Sequence, residues 1–536
     1  MITVEGLSFA YPGAAAPVLR DVTLSIAEGE AVLLVGPSGS GKSTLLRCLN
    51  GLVPHFHGGT FRGRVVVDGQ DTLNSQPRDL ARSVGMVFQD PESQSVADVV
   101  EDEMAFGMEN LGVPRLTMRK RVEEVLDVLG IAGLRRRRLD TLSGGELQRV
   151  AIGSVLTMQP RVLVLDEPTS QLDPQAAEEV LTVVQRLNVD LGLTVIMAEH
   201  RLERVVQYVD RVLYLPGDGS LASYDVREAM ERLPLAPPVA RLGRALGWSP
   251  VPLSVREGRR FVTSRLEPLP EDERDAPAGG EPAVALEDVC LSYGGPDVVR
   301  HVHLRAHRGQ VLALMGRNGA GKTTLLRSVV GLLRPRRGVV RVLGREVTDS
   351  QTGELAREVA LVPQDPASVL FHDSVEEEVA YTLRSTGRAG SVEEALSEWD
   401  LMGLRREHPR DLSAGERERA ALATMLAGEP AVLLLDEPTR GMDYGTKELL
   451  VANLRRRCAR GCAVVLASHD VELAARCAQR VALLAEGELV AEGPTRHVLT
   501  ESLTFSTQVN KLFGGHFLTV EDVLQAVARG GSHVRA

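Results

Sequence analysis

Two stretches of this chain carry the residue types and spacing that bind phosphate. Gly36-Pro37-Ser38-Gly39-Ser40-Gly41-Lys42-Ser43 and Gly316-Arg317-Asn318-Gly319-Ala320-Gly321-Lys322-Thr323 both satisfy the P-loop pattern G-x-x-x-x-G-K-[ST]. The glycines let backbone N–H groups wrap an oxyanion, and the helix that follows points its positive end at it. Lys42 and Lys322 neutralise β- and γ-phosphate charge, and Ser43 and Thr323 offer a hydroxyl to Mg2+. Thr44 and Thr324 come next in each copy. The chain has five lysines beside 56 arginines, yet both loops keep lysine. A compact ammonium suits the phosphates there better than a planar guanidinium.

A second chemistry follows each loop. Val162-Leu163-Val164-Leu165-Asp166-Glu167 and Val432-Leu433-Leu434-Leu435-Asp436-Glu437 are apolar runs ending in two carboxylates. Asp166 and Asp436 suit Mg2+, and Glu167 and Glu437 suit general-base work on water at the γ-phosphate.

These groups need scaffolds that present them. Val32-Leu33-Leu34-Val35 and Val311-Leu312-Ala313-Leu314 read as strands ending at the glycine loops, with helices from Thr44 and Thr324 beyond. Strand, loop, helix is the context the motif requires. Lys322 lies 280 positions after Lys42, Glu437 lies 270 after Glu167, and His469 lies 269 after His200. Constant order with nearly constant offset is an internal repeat, so two domains stand head to tail. We expect a first domain over 1–233, a linker over 234–282, a second domain over 283–495 and a tail over 496–536. Pro268 to Gly280 reads as an exposed linker, and Val239 to Leu246 as a helix of the first copy. Phe505, Leu512, Phe513, Phe517 and Leu518 make the tail apolar enough to pack on the second domain.

Leu142-Ser143-Gly144-Gly145-Glu146, with Ser143 101 positions after Lys42, resembles the signature of the ATP-binding cassette (ABC) family. Copy two has Leu412-Ser413-Ala414-Gly415-Glu416, departing from the family's glycine at Ala414. The resemblance covers nearly all of the chain outside the linker. It implies an α/β fold: two tandem P-loop ABC ATPase domains, each with a RecA-like core, an antiparallel β subdomain and an α-helical signature subdomain. It also implies roles for further positions. Gln89 and Gln364 match the Q-loop glutamine that touches Mg2+, Asp173 and Asp443 the D-loop, and His200 and His469 the switch histidine at the γ-phosphate. Tyr11 and Tyr293 match the aromatic that stacks on adenine. In this family two cassettes close head to tail over two ATP molecules. The resemblance therefore groups Lys42, Gln89, Asp166, Glu167 and His200 with Ser413 and Gly415. It groups Lys322, Gln364, Asp436, Glu437 and His469 with Ser143, Gly144 and Gly145. ATP and Mg2+ are the implied ligands, and both sites keep the residues for hydrolysis.

Bulk properties narrow the setting. The formal charge of −11 disfavours nucleic acid as a partner. No apolar run reaches the roughly 18–20 residues that span a bilayer, and the N-terminus does not read as a signal peptide. The five cysteines, Cys48, Cys290, Cys458, Cys462 and Cys477, read as reduced structural thiols, with Cys458 and Cys462 able to share a helix face. Arg135 to Arg138 reads as a solvated face, and His55-Phe56-His57 and His301-x-His303 as surface rather than metal sites.

Phe88-Gln89-Asp90-Pro91-Glu92-Ser93-Gln94 and the acidic segment Val99 to Asn110, echoed by Ser374 to Ala380, resemble the ATPases of energy-coupling factor (ECF) importers. So do Ala198-Glu199-His200-Arg201 and Phe505 to Val509. That resemblance implies an integral membrane coupling subunit and a membrane-embedded substrate-binding subunit as partners, an intramolecular pair of cassettes, and a peripheral place on the cytoplasmic face of the membrane. The cargo would be a vitamin or transition-metal ion. Two alternatives stay open: the fused ATPase of a sugar or peptide importer, and a tandem cassette ATPase acting on ribosomes.

Overall fold

The computed structural model of the chain describes residues 1–14, 16–262, 266, 281–347, 352–502 and 504–530. Pro268 to Gly280, read above as an exposed linker, lies outside the described residues. Contacts divide the chain into two units, Met1–Pro237 and Pro238–Ala536.

Each unit holds the same two sheets. In the first, an antiparallel sheet runs Leu19–Ile26, Ile2–Ala10, Thr60–Val67, Gln70–Asp71. A second sheet runs Ala222–Asp225, Arg211–Tyr214, Ala31–Val35, Thr194–Ala198, Val162–Asp166, Val84–Val87. Its last five strands are parallel, and the first pairs antiparallel at one edge. The second unit repeats this order. Its antiparallel sheet is Val299–His307, Pro282–Leu291, Arg337–Val342, Arg345–Glu346. Its other sheet is Val359–Val362, Val432–Asp436, Ala463–Ala467, Val311–Met315, Arg480–Ala485, Glu488–Pro494.

The short unbroken apolar runs explain the parallel cores. Val162–Asp166 and Val432–Asp436 are buried at every residue, as strands covered on both faces must be. Ligands of such sheets sit at the carboxyl ends of the strands, where both glycine loops and both Asp-Glu pairs emerge. Each unit also carries a helical part: Val100–Asn110, Arg115–Val128 and Gly144–Leu156 in the first, Val375–Thr386, Val392–Glu398 and Ala414–Leu426 in the second. Ser143 and Ser413 start their helices in capping boxes with Glu146 and Glu416. Among the described residues no helix is long and apolar enough to cross a membrane.

Three expectations need correction. The helix expected from Val239 to Leu246 forms (Pro238–Leu246), but it belongs to the second unit. Val239, Leu242 and Trp248 share a core with Val509, Leu512, Phe517, Val520 and Val523 of the tail. Arg241 pairs with Glu521 at 3.0 Å, and Trp248 stacks on Phe261 at 5.1 Å. The strongly amphipathic segment thus buries its apolar face against residues some 270 positions away. Phe505 and Leu518 of the tail pack beside Met315 and Val481. Cys462 does not share the helix of Cys458, because that helix ends at Ala459; all five thiols are buried and free. Arg135 is not merely solvated, since it ties the acidic helix to its neighbour through Glu101 at 2.5 Å and through Glu123.

Candidate active site

Local backbone demands explain the glycines. A Cβ on Gly36 would lie 2.2 Å from the carbonyl oxygen of Leu215, and one on Gly316 would lie 2.3 Å from that of Leu484. Gly41 and Gly321 adopt φ of +99° and +104° as they start the helices Lys42–Leu49 and Lys322–Val329, a region costly for any other residue. The loops fold back on their own lysines. Lys42 Nζ donates to the carbonyls of Gly36 (3.0 Å) and Pro37 (2.9 Å), and Lys322 Nζ to those of Gly316 (2.8 Å) and Arg317 (3.2 Å). Gly36→Ala should lower stability by about 1–3 kcal/mol and abolish ATP binding at its loop, because a backbone carbonyl cannot step aside. Thermal melts and nucleotide titration of the variant test this; unchanged binding would show that the loop tolerates a side chain.

The carboxylate pairs follow a common plan. Glu167 and Glu437 adopt φ of +51° and +50°, unusual for a residue with a side chain. Their amides donate to Ala198 and Ala467 of the adjacent strand, at 3.0 and 2.8 Å. Strain of this kind persists where the surroundings over-determine it, and it clusters at functional sites. In the first unit Gln89 Nε2 donates to Glu167 Oε2 at 3.0 Å, and His200 Nε2 lies 2.9 Å from Glu167 Oε1. In the second, His469 Nδ1 lies 2.8 Å from Glu437 Oε2, and Lys322 Nζ 3.3 Å from Glu437 Oε1. Burial pushes the Glu437 carboxyl up, but His469 and Lys322 outweigh it and hold it down at about 2. Glu437 is therefore a carboxylate at neutral pH, as a proton acceptor must be.

Asp166 and Asp436 behave oppositely. Burial pushes both carboxyls up, helped by the neighbouring glutamates, while the hydroxyls of Ser43 and Thr323 bond them and pull them back. Each keeps one buried oxygen, Oδ1, with no hydrogen-bond partner among the described residues. A buried carboxylate oxygen beside a hydroxyl and a phosphate loop is an oxygen donor set suited to Mg2+, so the residues present fit the ion.

In the second unit a cavity of about 310 Å³ gathers Asn318, Gly319, Ala320, Gly321, Lys322, Thr323, Thr324, Gln364 and Glu437. The two tyrosines differ. Tyr11 is half-buried, its hydroxyl 3.1 Å from Thr44 Oγ1, its ring edge-on to Phe9 at 4.9 Å and to His57 at 6.3 Å. Tyr293 is mostly exposed, and its hydroxyl accepts from Arg327 Nη1 at 3.3 Å. Asp173 and Asp443 cap the helices Pro174–Leu191 and Tyr444–Ala459 through Ala176 N (2.9 Å) and Thr446 N (2.7 Å). Gly145 has a packing reason as well: a Cβ there would meet Ala176 Cβ at 2.8 Å. His55 bonds the Thr72 carbonyl and His301 bonds Asp288, and no cluster of metal-ligating side chains occurs among the described residues.

The buried acids Glu199 and Glu418 were given no role by the sequence. Glu199 joins the loop after Glu167 to the loop of His200. Glu418 sits inside the signature helix of the second unit. The available signal was a difference between the copies, Glu199 against Ser468 and Glu418 against Gln148.

The ABC transporter family model matches residues 19–170 and 299–440, which include both glycine loops, both signatures and both Asp-Glu pairs. The chain belongs to the ABC transporter family. A Streptomyces avermitilis protein, provisionally named an ABC transporter ATP-binding protein, is 50% identical over 98% of this chain and 100% of its own length. The solved structure of cbiO1 from Clostridium perfringens, part of the transporter complex cbiONQ, is 32% identical over 46% of this chain and 98% of that one, with a TM-score of 0.40. The archaeal ribosome recycling factor aABCE1, solved with the ribosomal stalk protein aP1, covers 92% of this chain and 91% of its own at 20% identity and a TM-score of 0.60, a likeness of fold. Members of this family hydrolyse ATP and bind it with Mg2+, so this chain is a tandem ABC ATPase.

Proposed function

We propose that the chain is the ATP-hydrolysing subunit of an energy-coupling factor type importer, powering uptake of a vitamin or transition-metal ion from the cytoplasmic face of the membrane. Lys42 and Lys322 bind the β- and γ-phosphates. Ser43 with Asp166, and Thr323 with Asp436, hold Mg2+ beside Gln89 and Gln364. When bound, the ion supplies positive charge that the phosphates need in the transition state. Glu167 and Glu437 take the proton of the attacking water, and His200 and His469 orient them. Tyr11 and Tyr293 bind the base. Ser143, Gly144, Gly145, Ser413 and Gly415 are the signature positions. ATP draws the cassettes together, and hydrolysis releases them.

One observation carries the transport reading: each unit exposes a large apolar pair at matching positions after its Q-loop glutamine. Val96 and Phe106 in the first unit stand at the positions of Phe371 and Tyr381 in the second, and they are 64%, 39%, 74% and 50% exposed. Beneath each pair a buried glutamate holds the loop in shape. Glu103 accepts from the amides of Val96 and Ala97 at 2.9 and 2.8 Å, and Glu378 accepts from that of His372 at 2.5 Å. Exposed Asp102 and Glu377 lie in the first turns of the adjoining helices, beside half-buried Glu101 and Glu376, which pair with Arg135 and Arg405. A hydrogen-bonded loop and adjoining helix with exposed apolar side chains and exposed acids supports docking of a membrane subunit with basic, apolar-tipped segments. Phe371→Asp with Val96→Asp should release the full chain from membranes of its native cell, lowering the membrane-bound fraction about tenfold or more, as loss of interface anchors does. ATP binding in solution should be unaffected. Unchanged membrane association would overturn this docking face.

A further inference from the structure

In the first unit Glu199, 2% exposed, lies between the two loops that carry Glu167 and His200. Its Oε1 accepts from both the amide (2.9 Å) and the hydroxyl (2.7 Å) of Thr169, two residues past Glu167. Its Oε2 accepts from the amide of His200 at 3.2 Å. Arg204 closes the group by donating from Nη1 to the Thr169 carbonyl at 3.4 Å. One buried carboxylate thus bonds to both loops, and the positive φ of Glu167 is held between this tie and its bond to Ala198. Such a carboxylate is costly to bury unless its hydrogen bonds are made, so the loops and the acid constrain one another.

Among the described residues the second unit ties its loops differently, through Glu437 itself, whose Oε2 accepts from the His469 amide at 3.3 Å. Ser468 stands where the first has Glu199, and its hydroxyl accepts from Asp470 N at 3.0 Å, within its own loop. Thr439, the match of Thr169, has a buried hydroxyl with no hydrogen-bond partner among the described residues. Asp470 instead bonds Lys447 Nζ at 2.7 Å. Both units keep the glutamate, the histidine and the bond from the glutamate amide to the neighbouring strand; they differ in how the histidine loop is anchored and in which ring nitrogen faces the glutamate.

We propose that Glu199 is a positioning residue of the first ATP site: it locks the loop of His200 to the loop of Glu167, and its absence from the second unit makes the two sites unequal in turnover. The inference rests on the catalytic reading of Glu167 and His200 given above. Misplacing reacting groups by about 1 Å costs up to about 100-fold in rate, so loosening the lock slows chemistry more than it weakens binding.

The experiment uses the full chain. With Glu437→Gln silencing the second site, Glu199→Ser, which copies Ser468, is expected to lower kcat about tenfold while KM for ATP stays within about twofold. Glu199→Gln, which keeps one acceptor oxygen at the same reach, should recover most of the loss. Thr169→Val removes one donor from the other side and should lower kcat in the same direction by a smaller factor. Hydrogen exchange gives a reading independent of activity: the amides of Thr169 and His200 should exchange about tenfold faster or more in Glu199→Ser. Unchanged kcat together with unchanged exchange overturns the lock. A larger KM with unchanged kcat overturns it too, by placing Glu199 in binding rather than positioning. Failure of the underlying reading looks different: the Glu167→Gln, Glu437→Gln double variant would then keep its turnover whatever Glu199 does.

Discussion

Replacing Glu167 and Glu437 together by glutamine is expected to lower steady-state ATP turnover by about 100-fold or more, with ATP binding retained. Glutamine keeps the size of the side chain and one acceptor oxygen, so the contacts of Glu167 with Gln89 and His200, and of Glu437 with His469 and Lys322, lose only part of their geometry. What disappears is the proton acceptor. At Glu437 the flanking histidine and lysine keep the carboxylate ionised far below neutral pH, so the wild-type base is ready across the physiological range. Each single variant should lose part of the turnover, because both copies retain the whole set of groups. Phosphate release by the four proteins decides the matter. A silent Glu167→Gln would mean that the first site does not turn over. A complete loss from that single change would mean that neither site works alone.

The second large effect is on stability and depends on pH. Glu418 is 4% exposed within the helix Ala414–Leu426, where the first unit has Gln148. Burial pushes its carboxyl from 4.5 up to about 8, against the pull of Arg440 and with the help of Asp365. Between these values the folded chain keeps a proton that the unfolded chain has released. The Glu418 contribution to stability is therefore expected to fall as pH rises from about 4.5 to about 8, and to level off above. The span corresponds to roughly 5 kcal/mol. Glu418→Gln removes the dependence, so at pH 9 the variant should be more stable than the wild type by roughly 3–5 kcal/mol, and at pH 5 by little. Both tryptophans, Trp248 and Trp399, lie in the second unit, and Trp399 is fully buried in the cluster that holds Leu422 and Leu426 of the same helix. Their fluorescence during urea unfolding at several pH values reports on the relevant unit. Parallel pH profiles for the variant and wild type would show that Glu418 ionises without cost.

The catalytic groups were legible in the sequence because each is tied to a local rule. The glycine loops need their spacing, the strands before them are short apolar runs, and Asp166-Glu167 and Asp436-Glu437 end runs that only a covered parallel sheet accommodates. The repeat fixed their order twice over. What stayed hidden depends on partners distant in sequence. The helix Pro238–Leu246 looked like the end of the first copy, but its apolar face finds Val509 and Val520 in the tail. The basic run at Arg135 looked solvated because Glu101 and Glu123 lie on other helices. Glu199 meets Thr169 from the neighbouring strand, and Glu418 is buried by packing that no local pattern announces. Glu418 was visible only as a departure of one copy from the other, and Glu199 only as a member of Ala198-Glu199-His200-Arg201 with no role of its own.

The most direct measurement of the transport reading is a capture experiment. The Glu167→Gln, Glu437→Gln chain, held with ATP, is purified from detergent-solubilised membranes and from ribosome fractions of its native cell, and the retained proteins are identified by mass spectrometry. Two integral membrane proteins, a coupling subunit and a substrate-binding subunit, are the predicted result, and the second would name the cargo. Recovery with ribosomes and without any membrane protein would contradict the account.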